Sequence, residues 1–412
     1  MPCQLSSDTL SNAGHLQNAV STRALGAAGS RRSRRRTVKA RAGQGRVDKG
    51  LGVLEWTGKL IPQGLLVKGV KTGWRTAWEL MMKELAPQSS EGDYTRPSYG
   101  YIHSIGEPGF PAETNRYVLY VGNPCPWCHR AVLTLVLRGL TRHISIVNAV
   151  DDPERASRGG WVFDSPEPVF GCNDLREVYD AAEPGYRGRC TAPLLVDQKT
   201  KRIVSNESSH LVKMLNDVQL PGCSNVDLYP AALRGEIDSL ADAIYDKVNN
   251  GVYKSGFATT QAAYERAQSE LWTWLDILEA KLSKQRFLTG SRFTLADLQL
   301  FPTVVRFDAT YATLFKCSRK RIQDFPNLQG WLQDVYQLKT NPDGMQVCDT
   351  INIDDARRSY FGSLFPLNAG GIVPTGPTLA DLKLNTNPQR GSANHDDIFH
   401  TTAPLALPAP VS

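Results

Sequence analysis

The sequence predicts an α/β domain followed by an all-α domain, and three observations carry that prediction. Between Tyr117 and Leu215, short apolar runs rich in β-formers alternate with helical ones. Beyond Pro221 the apolar spacing is helical almost throughout. The 412 residues are ample for more than one core, and 41% hydrophobic with 21% charged residues is the balance of an ordinary globular chain.

The elements follow in order. Tyr117 to Val121 reads as a buried strand, broken by Gly122-Asn123-Pro124. Pro126 suits the first position of a helix running to about Arg138, and Ile144 to Val147 is the next strand. Residues 150–174, rich in Asp, Gly and Pro, read as a long insertion before a helix over Leu175–Ala182. Thr191–Asp197 and Arg202–Ser205 then form a hairpin across 198–201, and Asn206 to Ser209 cap a helix reaching about Leu215. The order β-α-β-α-β-β-α is the thioredoxin-like plan, placed at 116–220. In the all-helical domain, 221–377, Leu233, Ile237, Leu240 and Ile244 recur at helical spacing, as do Leu271, Leu275, Leu278 and Leu282. Thr294 with Asp297 is a variant capping box, and Phe325-Pro326-Asn327 starts a helix to about Tyr336. Residues 47–115, with one helix over Trp74–Leu85, read as an extension wrapping the first domain, and 378–412 as a disordered tail.

The formal charge of +6 is unevenly spread. Nine of the 47 basic residues but one of the 41 acidic ones fall within residues 1–46, so the rest of the chain is slightly acidic. An Arg- and Ser-rich, acid-poor leader is the composition of an organelle transit peptide. Val38-Lys39-Ala40 before Arg41-Ala42 favours a chloroplast over a mitochondrial address. A nucleic-acid-binding arm is the weaker reading, because no aromatic residue interrupts the basic run. No apolar run is long enough to span a membrane.

Chemistry concentrates in Tyr117–Arg130. Cys125 stands at a helix start, where unpaired backbone N–H groups and the positive end of the helix dipole favour a thiolate. His129 and Arg130 are expected to add positive charge one turn on. Cys128 completes a CxxC spacing, which suits a two-thiol redox site. As half of a zinc site it lacks a second ligand pair, so no metal is expected. The eight cysteines are too sparse for a disulfide framework.

Taken together, NPCPWCHR, GGWVF at 159–163, TAPLLVD, IVSNESS, NNGVYKSGFATTQAAYE at 249–265, RFTLADLQLFPTVVRFD and IVPTGP resemble the Xi-class glutathione transferases, the glutathionyl-hydroquinone reductases. The resemblance covers about residues 50–377 and implies the glutathione transferase fold. It implies that Cys125 takes glutathione from a glutathionyl-hydroquinone, leaving a Cys125–glutathione mixed disulfide that a second glutathione resolves. It further implies glutathione contacts from Trp161 and Arg176, a hydroquinone slot lined by Tyr253, Tyr311 and Tyr360, and a homodimer through the helical domain. Arg357 or Arg358 is a further candidate for that slot. Beside the resemblance, Pro193 is expected to be cis with the Ala192 backbone facing the tripeptide. Glu207 can accept the γ-glutamyl ammonium, and Ser208 at a helix N-terminus can take its carboxylate. The family usually has Ala where Cys128 stands, so Cys128 is either a resolving thiol or a buried passenger.

Two other readings compete. One is a glutaredoxin-like thiol transferase or dehydroascorbate reductase, which shares the thiolate chemistry. The other is a non-catalytic ligand carrier, against which the joint presence of Cys125, Pro193, Glu207 and Ser208 speaks.

Overall fold

The structure, a computed structural model, describes residues 62–96, 100–339, 345–388, 390 and 398–402. The basic leader 1–46, with its inferred address, lies outside the described residues. The chain divides into two compact units. Of the first, residues 4–77, only 62–77 are described, and they are chiefly the exposed start of helix α1 (Gln63–Leu85), longer than the 74–85 expected. All that follows concerns the second unit, from Trp78 onward. There α1 buries Met82 and donates from the Trp78 indole to the Pro366 carbonyl at 2.9 Å.

The sheet is built on β1 (Tyr117–Gly122), every residue of which is buried. Side chains alternate along a strand, so Tyr117, Leu119 and Val121 point to one face and Val118 and Tyr120 to the other. The first set packs on Ala131 and Leu135 of α2 (Pro126–Leu137). β1 pairs parallel with β2 (Ile144–Asp151), whose end pairs antiparallel with the two-residue β3 (Trp161–Val162). The second set meets Leu175, Val178 and Tyr179 of α3 (Leu175–Ala182). β4 (Leu194–Asp197) and β5 (Arg202–Ser205) complete the order β3-β2-β1-β4-β5. Helix α4 (Ser208–Asp217) adds Leu211 and Leu215 to the first face. Covering a sheet on both faces explains why its strands read as continuous apolar runs rather than alternating ones. The insertion 150–174 carries β3, a strand too short for a period to reveal.

A short strand β6 (Val226–Asp227) leads into the helical domain. Helix α5 (Arg234–Ala243) passes through a π-helical stretch, Ile244–Asn249, into α6 (Asn250–Phe257). In α7 (Gln261–Leu282), Leu271, Leu275, Leu278 and Leu282 are buried, as their spacing predicts. Helix α8 (Leu295–Arg306) is buried along its whole length. The Asp297 carboxylate accepts from Thr294 N at 3.1 Å, Leu288 N at 2.9 Å and Trp331 Nε1 at 2.9 Å. Burial outweighs these donors and raises its pKa to about 6. Helices α9 (Pro326–Tyr336) and α10 (Ile353–Ser363) follow. Among the described residues, no helix is long and apolar enough to cross a membrane.

The expected disordered tail is corrected over part of its length. Leu382 and Leu384 are buried against the helical core, and their backbone carbonyls accept from Gln329 and Gln337 at 3.0 and 2.8 Å. Gln333 donates to the Lys383 carbonyl between them at 3.0 Å. β7 (His400–Thr401) pairs antiparallel with β6. Two apolar side chains two residues apart in a polar stretch give no helical signal. It is a ladder of glutamine amides on α9, four residues apart, that holds this backbone.

Candidate active site

β1 delivers the chain to the site and Gly122 ends it. A side chain at Gly122 would meet the Trp161 ring at 2.2 Å, so β3 and the end of β1 approach this closely only because residue 122 has none. Cys125 turns back to donate its N–H to the Gly122 carbonyl at 3.0 Å and occupies the N-cap of α2, with Pro126 as the first helical residue. The residue is part-exposed, and its sulfur lies 3.8 Å from the Ala192 carbonyl oxygen. The Ala192–Pro193 bond is cis, as expected.

Burial alone would raise the Cys125 pKa. It is outweighed by the Cys128 thiol, by the backbone N–H groups of Cys128 and Trp127, and by the Arg306 guanidinium, which together lower it to about 7. The positive charge is therefore not where the sequence places it. His129 is buried, and burial together with Arg306 holds its pKa well below the usual value, so the ring is neutral. Its Nδ1 accepts from Arg306 Nη1 at 3.0 Å, and its Nε2–H donates to Thr350 Oγ1 at 2.8 Å, whose own hydroxyl donates to the Val347 carbonyl. Arg130 turns away toward the helical domain, donating to Asn249 Oδ1 and the Gln299 carbonyl. The guanidinium groups of Arg130 and Arg96 lie over the Trp127 ring, 4.6 and 3.6 Å from its centre. The site cation is Arg306, at the C-terminal end of α8. Besides His129, it donates to the carbonyls of Pro124 at 2.9 Å, Asn123 at 3.4 Å and Pro302 at 2.9 Å. It thus braces the loop that presents the thiol. The only signal in the sequence was an arginine ending a helix that is buried along its whole length.

The three tyrosines converge. Tyr253 and Tyr360 hydroxyls are 2.5 Å apart, and Tyr311 and Tyr360 hydroxyls 3.3 Å apart. Burial raises all three phenols, and each also feels the Cys125 charge; the Tyr253 ring lies 6.0 Å from that of Trp127, two residues on from Cys125. Phe315 stacks on Tyr311 with ring centres 5.2 Å apart, giving the cluster an apolar wall.

The remaining predicted residues are distributed as follows. Glu207 is the N-cap of α4 and accepts from His210 N at 2.7 Å. It lines a cleft of about 590 Å³ with Arg96, Lys213, Tyr245 and Asn250, a cleft whose walls include neither Cys125 nor Tyr253, Tyr311 and Tyr360. Ser208 is buried, and its hydroxyl has no hydrogen-bond partner among the described residues. Arg176 is committed internally. It chelates Asp180 at 2.6 and 2.7 Å and donates to the Tyr186 carbonyl at 2.7 Å, bracing the loop that leads to Cys190. Arg357 is likewise engaged, by Asp354 and the Pro377 carbonyl. Among the described residues, no group of three or more His, Cys, Asp or Glu side chains is placed to hold a metal ion, and the seven cysteines are free thiols.

Residues 124–218 match the family model for the glutathione S-transferase N-terminal domain, and 261–334 that for its C-terminal domain. The chain is 43% identical over 326 residues to the glutathionyl-hydroquinone reductase PcpF of Sphingobium chlorophenolicum, covering 76% of this chain and 96% of that protein. Its fold matches the glutathione S-transferase Xi of Phanerochaete chrysosporium with a TM-score of 0.64 and 38% identity, covering 70% of this chain and 94% of the other. This chain belongs to the Xi-class glutathione transferases. Glutathione-bound YqjG of Escherichia coli K-12 matches this Xi-class chain with a TM-score of 0.63 at 39% identity, over 74% of this chain and 94% of that one.

Proposed function

We propose that this Xi-class transferase is a glutathionyl-hydroquinone reductase. The observation that carries the reading is a thiolate-forming Cys125 within electrostatic reach of three tyrosines whose hydroxyls are joined by hydrogen bonds. Two relatives named glutathionyl-hydroquinone reductases, 43% and 42% identical, support it.

In this reading Cys125 attacks the sulfur that joins glutathione to the hydroquinone ring. The carbon–sulfur bond breaks, its electron pair goes to the ring carbon, and that carbon takes a proton. Tyr360, bonded to both other phenols, is the group best placed to pass that proton on. Hydroquinone leaves, and Cys125 is left as a mixed disulfide with glutathione. A second glutathione thiol then frees Cys125 and departs as oxidised glutathione. The Ala192 backbone, the unpartnered Ser208 hydroxyl at the start of α4 and Glu207 supply polar contacts that fit a zwitterionic tripeptide. Trp161 over Gly122 offers a flat edge beside them. The proposal also includes a homodimer, drawn from the resemblance, and a plastid address, drawn from the composition of residues 1–46.

The test is incubation with glutathionyl-menadiol and glutathione, following free hydroquinone. Release of hydroquinone with oxidised glutathione is expected. Turnover of hydroxyethyl disulfide without hydroquinone release would favour a thiol transferase, and binding without any turnover a carrier. In the same assay Tyr360→Phe is expected to slow hydroquinone release by roughly ten- to a hundredfold. Hydroxyethyl disulfide cleavage, which protonates no carbon, should be nearly unchanged.

A further inference from the structure

Cys128 is a departure that the reaction above does not use. It sits one helical turn beyond Cys125 in α2, is 1% exposed, and its sulfur accepts the Gly122 N–H at 3.3 Å. Three residues on from the helix N-cap, it lies on the same first turn as Cys125, and its thiol is one of the groups that lower the Cys125 pKa. Buried as it is, no free glutathione reaches it. Cys125, part-exposed, is the sulfur through which it exchanges with anything outside. We propose that Cys128 is a resolving thiol, so that this chain also works as a dithiol–disulfide exchanger acting on glutathione disulfides. The inference rests on Cys125 being the nucleophile, as in the proposed function.

The step balances without any further oxidant. In the mixed disulfide, the Cys128 sulfur attacks the Cys125 sulfur. The bond from Cys125 to glutathione breaks and a Cys125–Cys128 bond forms. Cys128 is oxidised and glutathione is reduced, leaving as the thiol with the proton that Cys128 gives up. Two glutathione molecules later reopen the internal disulfide and depart as oxidised glutathione. Proximity favours this route, since Cys128 stands one helical turn from Cys125 in the same chain while an external thiol must bind first.

The electrostatics change in the required direction as the reaction proceeds. Before it, burial and the neighbouring Cys125 sulfur hold the Cys128 thiol protonated. Once Cys125 is capped by glutathione its charge is gone. What then acts on Cys128, besides burial, is the Gly122 N–H and the Arg306 charge, and both favour the thiolate. Cys128 thus becomes a better nucleophile when there is a disulfide to attack. Gly122 N–H, already on its sulfur, stabilises the charge at that moment.

The test is read on one peptide. Cleavage after Arg116 and Arg130 releases Tyr117–Arg130, which holds both thiols. The reduced full chain is mixed with oxidised glutathione, quenched in acid at intervals, blocked with N-ethylmaleimide and digested. In the wild type this peptide should pass through a glutathione adduct and accumulate as an internal disulfide with no maleimide added. Cys128→Ser and Cys128→Ala should both stop at the glutathione adduct, two variants guarding against one that misfolds. A wild-type peptide that stays as a glutathione adduct with one maleimide would overturn the resolving role and leave the nucleophile in place. A peptide carrying two maleimides would overturn the nucleophile itself, and the inference with it.

Discussion

Cys125→Ser is expected to abolish hydroquinone release, lowering the rate by at least about a thousandfold, while the protein keeps its fold. The loss is large because the site is tuned for sulfur. The helix N-terminus, the Cys128 thiol and Arg306 bring a thiol to about pKa 7, so it is about half ionised at neutral pH. The same surroundings leave a serine hydroxyl, whose ordinary pKa is far higher, protonated. An oxygen also forms no disulfide-like intermediate that glutathione could resolve. Stability should change little, since the side chain is part-exposed and nearly isosteric. Steady-state assays beside a thermal melt check both halves. Retained turnover in a folded Cys125→Ser protein would show that the chemistry lies elsewhere.

Arg306→Met should damage stability and reactivity together. The guanidinium is fully buried and serves His129 Nδ1 and the carbonyls of Asn123, Pro124 and Pro302. Methionine fills much of the volume but leaves those acceptors unpaired in the core. At about 1–3 kcal/mol for each of the four groups left unsatisfied, a loss of at least about 4 kcal/mol is expected, visible as a lower denaturant midpoint. The Cys125 thiol also loses its nearby cation, so its pKa should rise from about 7 and the rate at neutral pH should fall. A variant with wild-type stability and an unchanged thiol would refute the role given to Arg306.

Local signals made much of this legible. The apolar run of β1 and the three- to four-residue spacing of leucines in α7 are short-range patterns, and the structure follows them. The Cys-Pro helix start and the cis proline were also readable from the residues, whereas the three tyrosines that meet were named only through the family resemblance. What the sequence could not disclose depends on partners far along the chain. Charge was expected from His129 and Arg130 because they are near Cys125 in sequence, yet burial discharges one and Asn249 draws the other aside. The cation comes instead from residue 306, across the domain boundary. Arg176, named for a ligand through the family resemblance, pairs with Asp180 one helical turn on, a local partner the sequence reading did not name. The segment around Leu382 looked like a tail because the amides that hold it belong to α9.

The most direct measurement is the rate of iodoacetamide alkylation of Cys125 against pH, read on the Tyr117–Arg130 peptide. A depressed thiol pKa predicts a rate that climbs tenfold per unit at low pH, reaches half its maximum near pH 7 and is flat above about pH 8. A rate still climbing at about pH 8.5, where an unperturbed thiol titrates, would contradict the account at its centre.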